Sequence, residues 1–136
     1  MERVFLDTAG LLALINKDDS LHGRARAAVA VLDAGNTRAW TSDWVLGEFL
    51  GSAARIRLRG AATRLVNAII DNPRVRTLPA TRRSFATAFD LYRRRPDKEW
   101  SLVDCSSMLT CASLSIRQVL THDRHFAQAG FQALLA

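Results

Sequence analysis

The chain is poor in cysteine, in lysine and in long apolar runs, and each shortage removes a class of protein. Two cysteines in 136 residues, Cys105 and Cys111, make no disulfide framework. If both lie on one helix, a rise of about 1.5 Å per residue sets their Cα atoms about 9 Å apart, beyond the roughly 7 Å that a bridge tolerates. They are expected to be buried thiols of a reducing compartment, and two cysteines without paired histidines make a poor zinc set. No apolar run approaches the roughly 20 residues of a membrane span. Glu2, Arg3 and Asp7 interrupt the apolar stretch near the N-terminus, which argues against a signal-like start, so the expected location is the cytoplasm. Repeats, linkers and low-complexity segments are missing as well. Residues 1–136 are therefore expected to form one domain, long enough to bury roughly two-thirds of its unfolded surface without staples.

Lysine is nearly absent: 17 arginines stand against two lysines, so the net charge of +6 and the pI near 10.6 come almost wholly from arginine. A guanidinium forks onto phosphate, which fits a polyanionic partner better than a membrane surface. Arginine enrichment across a high-GC genome would give the same count. Hydrophobic residues at 49% and charged residues at 24% are ordinary for a soluble globular domain.

Within that composition, Val4-Phe5-Leu6-Asp7-Thr8 reads as a short apolar strand that delivers a carboxylate to its own carboxyl end. In an open α/β sheet the ligand crevice lies beyond the carboxyl ends of the strands, where the strand order reverses. Taken alone, Asp7 also fits as the cap of the next helix. Ala9 to Ile15 and Leu21 to Asp33 are helix-favouring, the second closed by Gly35, and Arg38 to Thr41 is a second strand. Ser42 and Asp43 cap a helix expected from Trp44 to about Arg57, in which Gly47 and Gly51 suggest close approach of another backbone or a ligand. Gly60 is expected to break the chain before a helix over Ala61 to Asp71. Arg74 to Leu78 follows as a strand and Thr81 to about Arg94 as a helix, with Phe85, Ala88, Phe89 and Tyr92 on one side. After a charged loop, Ser101 opens a helix over Leu102 to Ser115. Gln118 to Thr121 is a strand, Asp123 to Ala129 a short helix, and Phe131 to Leu135 a last strand. Five short strands separated by helices predict a parallel sheet with helices on both faces.

Four acids fall at comparable places. Asp7 ends the first strand, Asp123 follows the fourth, and Glu48 and Asp104 lie early in two helices that start on the same side of the sheet. Four clustered carboxylates cannot all stay ionised without a counter-ion, and oxygen-only ligands favour Mg²⁺ or Mn²⁺ over zinc or copper. Ser107, three residues beyond Asp104 on a helix, is placed to orient that carboxylate or its water. His122 and His125 flank Asp123 but are too few and too locally clustered for a metal centre of their own. Asp43, Asp97 and Glu99 read as cap and loop acids.

These motifs carry a resemblance. Val4-Phe5-Leu6-Asp7-Thr8, Ser42-Asp43-Trp44-Val45-Leu46-Gly47-Glu48, Trp100 to Ser107 and Leu120 to Phe126, with Ala129-Gly130-Phe131 after the last, resemble the PIN-domain nucleases over nearly the whole length. Within that family the chain is most similar to the VapC-like toxins of bacterial toxin–antitoxin modules. The resemblance implies a PIN-like three-layer α/β/α sandwich with a five-stranded parallel sheet of order 3-2-1-4-5. It matches Asp7, Glu48, Asp104 and Asp123 to the family's catalytic metal-binding acids, and Thr8, Ser107 and Thr121 to its supporting hydroxyls. It also implies a homodimer and inhibition by a cognate antitoxin.

The resulting expectation is a Mg²⁺- or Mn²⁺-dependent endoribonuclease acting on RNA, with Arg93, Arg94 and Arg95 gripping the strand at the rim of the crevice. A phosphatase or phosphoacceptor domain also places an acid after a first strand, but it wants a second acid at or next to the position after it, where Thr8 and Ala9 stand. A non-catalytic RNA-binding module is the other rival, and the intact set of four acids argues against it.

Overall fold

The computed structural model describes residues 2–136. Its elements run β1 (Arg3–Leu6), α1 (Thr8–Ile15), α2 (His22–Ala34), β2 (Arg38–Ser42), α3 (Asp43–Ser52), α4 (Ile56–Asp71) and β3 (Val75–Leu78), then α5 (Arg82–Arg94), α6 (Leu102–Leu114), β4 (Gln118–Leu120), α7 (Arg124–Gln128) and β5 (Gln132–Ala133). The five strands form one sheet of order β3-β2-β1-β4-β5, with every pairing parallel.

β1 is central, and its side chains show it: Val4, Phe5 and Leu6 are all buried, as expected for a parallel strand covered on both faces. On one face, Val4, Leu6, Ala39 and Val75 meet Leu11 and Leu14 of α1, Val29 and Leu32 of α2, and Leu65 and Ile69 of α4. α5 and α6 pack together and complete the three layers. Hydrophobic burial of this kind contributes roughly 25 cal/mol per Å² of apolar surface, which is why so short a strand can anchor the fold.

The chain leaves β1 for β2 and β3 on one side and returns to β4 on the other, so the strand order reverses between β1 and β4. Leu6 pairs with Leu120 there, and the Asp7 amide donates to the Leu120 carbonyl at 3.4 Å. Gly10 sits directly over that pairing. A Cβ at Gly10 would lie 2.1 Å from the Leu120 carbonyl oxygen, so only glycine lets α1 descend onto the end of β4.

Caps set several helix starts. The Ser42 hydroxyl accepts from the Val45 amide, Thr81 and Ser84 form a capping box, and so do Ser101 and Asp104.

The expected boundary between the third and fourth helices is wrong. α3 ends at Ser52, and α4 begins at Ile56 and runs through Gly60 to Asp71. Burial of Leu58, Ala62 and Ile69 outweighs the roughly 1 kcal/mol that a mid-helix glycine costs. No other backbone approaches Gly47 or Gly51: beyond their own helix, no described residue lies within 4 Å of a Cβ at either position. The fourth and last strands are shorter than expected, because their ends give way to the cap of α7 and a closing turn. Cys105 and Cys111 are free and buried on α6.

Candidate active site

At the β1/β4 switch point Asp7, Thr8, Glu48, Ser52, Glu99, Ser101, Asp104, Asp123 and His125 line one open cleft with Ala9 and Leu12. All four acids expected to converge do so, from four elements. Asp7 follows β1, Glu48 sits in α3, Asp104 in the first turn of α6, and Asp123 at the N-cap of α7. Asp7 and Asp104 are buried, Asp123 is half-buried, and Glu48 is exposed.

Three of the acids are held by one oxygen each. Asp7 occupies the N-cap position of α1 but makes no side-chain cap bond; instead its Oδ2 accepts from the Thr121 hydroxyl at 2.8 Å. The same hydroxyl accepts from the Asp123 amide at 3.0 Å, so one buried threonine ties together the strand ends that carry two of the acids. Asp104 Oδ2 accepts from the Ser101 amide at 3.0 Å, which closes the capping box, and lies 3.1 Å from His125 Nδ1. Asp123 Oδ1 accepts from the His125 amide at 2.9 Å and lies 3.2 Å from the same ring nitrogen. Among the described residues the second oxygen of Asp104 and of Asp123, and both oxygens of Glu48, accept no hydrogen bond, while the Thr8 backbone also favours the charged form of Asp7.

Burial raises the Asp7 pKa from 3.8 to about 7, and the nearby Asp104 and Glu48 carboxylates add to the rise; the Thr121 bond opposes it. The same burial, with Asp7 close by, pushes the Cys111 thiol up to about 12, so it stays protonated.

A family model described as the PIN domain matches residues 4–132. The chain belongs to the PIN-domain family. No curated protein matches it in sequence. Among solved structures, this PIN domain is similar to VapC20 from Mycobacterium tuberculosis, described as a sarcin-ricin loop cleaving toxin. The identity is 29%, covering 94% of this chain and 95% of that one, with a TM-score of 0.81. It is also similar to VapBC2 from Rickettsia felis, bound to a DNA fragment from their promoter, at 13% identity, 96% of each chain and a TM-score of 0.68. FitAcB from Neisseria gonorrhoeae gives 19% identity, 96% of this chain, 95% of that chain and a TM-score of 0.63. The last two likenesses concern the fold alone.

The cleft of this PIN domain fits a divalent cation. It gathers open carboxylate oxygens, and Thr8 in its wall carries a buried hydroxyl that has no hydrogen-bond partner among the described residues. A hard oxygen donor set of this kind suits Mg²⁺ or Mn²⁺.

Two side chains depart from the expected site. The Ser107 hydroxyl is buried and unpartnered and does not orient Asp104, because Asp104 turns back to the Ser101 amide at the start of its helix. His125, which with His122 was too few and too locally clustered in sequence to suggest a metal centre, stands against two of the acids, while His122 is exposed. Nothing in the sequence showed that α6 would bring Asp104 to it. Glu99, read as a loop acid, also lines the cleft.

The arginine run lies beside the site. Arg93 and Arg95 line a hollow with Tyr92, Lys98 and Trp100, and that hollow shares Glu99 and Ser101 with the acidic cleft. Its charge is partly compensated. Arg93 and Arg94 both pair with Asp90, at 2.6 and 3.0 Å, and Arg95 pairs with Asp97 at 3.1 Å while stacking over Trp100.

Proposed function

We propose that this chain, acting as a single domain over residues 1–136, is a Mg²⁺- or Mn²⁺-dependent endoribonuclease. It hydrolyses RNA phosphodiester bonds to leave 5′-phosphate and 3′-hydroxyl ends. The observation that carries this reading is the convergence of Asp7, Glu48, Asp104 and Asp123 from four elements on one open cleft at the switch point. Family membership supports it.

When bound, a divalent cation neutralises the charge that builds on the phosphate and lowers the pKa of the attacking water. The chain's own residues supply geometry. Thr121 holds Asp7 and the start of the Asp123 loop in one register, and the Ser101 amide fixes the Asp104 carboxylate. Glu48 is the carboxylate that no described protein group restrains, so it is free to turn as ligands enter. Arg93, Arg94 and Arg95 position the strand at the rim, where an RNA backbone needs cations to approach the acids. Thr8 and Ser107 belong to the same proposal as supporting hydroxyls; both are buried without a partner.

The biological role we infer is that of a toxin which arrests growth by cutting RNA and is neutralised by a cognate antitoxin. The likeness to VapC20, named as a sarcin-ricin loop cleaving toxin, supports it. A homodimer is part of the proposal. Leu50, Phe89 and Tyr92 are exposed apolar side chains on α3 and α5 available for such an association.

The experiment is digestion of structured and unstructured RNA by the purified chain with Mn²⁺, with Mg²⁺ and with excess chelator, followed by end-group mapping. Metal-dependent cuts with 5′-phosphate ends are expected. Cleavage that survives the chelator, or 2′,3′-cyclic phosphate ends, would refute the mechanism.

A further inference from the structure

We propose that His125 is a nitrogen ligand of the cation held in the acidic cleft and that it gives the site a preference for Mn²⁺ over Mg²⁺. The inference rests on the metal-dependent reading of the cleft and adds to it a residue outside the four acids.

His125 Nδ1 lies 3.1 Å from Asp104 Oδ2 and 3.2 Å from Asp123 Oδ1. In a six-coordinate ion with bonds of about 2.1 Å, adjacent ligand atoms stand about 3 Å apart. One ring nitrogen and carboxylate oxygens from two separate elements are thus already at the spacing of neighbouring ligands, and such atoms from all three residues lie within 4.8 Å of one another.

The ring is not there by chance rotation. Asp123 caps α7 by accepting from the His125 amide, which fixes the backbone under the imidazole. Asp104 is fixed from the other side by the Ser101 amide. The His125 side chain is 21% exposed, so the walls of the cleft limit its alternatives.

A second observation points to a ligand in the same place. The Thr8 hydroxyl, in a residue 7% exposed, lines the cleft beside Asp7 and has no hydrogen-bond partner. A buried hydroxyl left unpaired is costly, and Thr8 lies beside Asp7 in the wall of the cleft, so a ligand drawing Thr8 towards the acids would relieve that cost.

The consequence is selectivity. Carboxylates and waters serve Mg²⁺ and Mn²⁺ alike; Mn²⁺, although the weakest first-row divalent ion for nitrogen donors, still takes an imidazole more readily than Mg²⁺, which gives up its waters reluctantly. If His125 merely donated Nδ1–H to the two carboxylates, its removal would weaken both ions equally.

The test uses the full chain without RNA. Calorimetry gives the affinities of Mn²⁺ and Mg²⁺ for the wild type and for His125→Ala, and pulsed electron paramagnetic resonance on the Mn²⁺-loaded wild type reads ¹⁴N coupling. The expected result is a ¹⁴N signal in the wild type, lost in the variant, with Mn²⁺ affinity reduced about tenfold or more and Mg²⁺ affinity nearly unchanged. Equal losses for the two ions, or no ¹⁴N coupling in the wild type, overturn the proposal while leaving an all-oxygen metal site intact. Failure of the wild type to bind either ion overturns the metal-dependent reading as well. Should His125→Ala not fold, the wild-type ¹⁴N spectrum decides alone.

Discussion

Burial that lifts the Asp7 pKa to about 7 makes the candidate site a burden on the metal-free fold. Between about pH 4 and pH 7 the folded chain holds a proton that the unfolded chain has released, so this group's contribution to stability falls as pH rises through that window. By neutral pH the difference is on the order of 4 kcal/mol. Asp7→Asn keeps an acceptor for the Thr121 hydroxyl but never ionises. Thermal unfolding of the metal-free proteins is expected to show the variant more stable than wild type at pH 7 and above, with the gap closing towards pH 4. A gap that does not vary with pH would contradict the assigned burden. At this scale Asp7, Asp104 and Asp123 were legible because each is tied to a strand end or a helix start, whereas Glu48 lies a turn further into α3. That Ser107 does not bond Asp104, and that His125 stands against it, was not legible, because both depend on where Asp104 turns and which helix comes alongside, and neither is a local property of the sequence.

At the scale of elements, the seating of α1 on β4 decides where Asp7 stands. Gly10→Ala puts a methyl group 2.1 Å from the Leu120 carbonyl, so α1 must lift off the strand end. The expected result is a loss of about 1–3 kcal/mol in denaturant unfolding, together with reduced cleavage, since Asp7 moves with the helix. Unchanged stability would mean that the close approach does not exist in solution. This glycine left no sign in the sequence, because nothing local distinguishes it from Gly47 or Gly51, which proved open. The break between α3 and α4 was equally hidden. Arg55 stands at the N-cap of α4 with no side-chain cap bond, so no capping signature marked the true start, while Gly60 offered a false one. The starts of the helices opened by Ser42, Thr81 and Ser101 were readable, since their caps are spelled out in sequence. The arginine run makes the other element-scale prediction. Replacing Arg93, Arg94 and Arg95 with Gln, in an Asp7→Asn background, is expected to weaken binding of every RNA alike and to lower the salt slope by about 0.7 for each phosphate no longer neutralised. The ion pairs with Asp90 and Asp97 make a small change in slope the expected one; none at all would remove the run from the interface.

For the whole molecule, the order 3-2-1-4-5 followed from five short strands with intervening helices only once the resemblance was added, because periodicity alone does not say on which side β4 joins β1. That crossover brings the acids of distant segments together, so an ion held by them, as proposed, would be linked to the stability of the entire fold. An ion bound only by the folded chain stabilises it by about 2.7 kcal/mol at a hundred times its dissociation constant. Mn²⁺ is therefore expected to raise the melting temperature of wild type and to leave that of Asp104→Asn nearly unchanged; equal shifts would place the ion elsewhere. The most direct test of the account is the rate of RNA cleavage by wild type and by Asp104→Asn in saturating Mn²⁺, with circular dichroism to show that both are folded. The account predicts cutting by wild type and loss of at least about a hundredfold in the variant. Wild-type cleavage by a folded Asp104→Asn would contradict it.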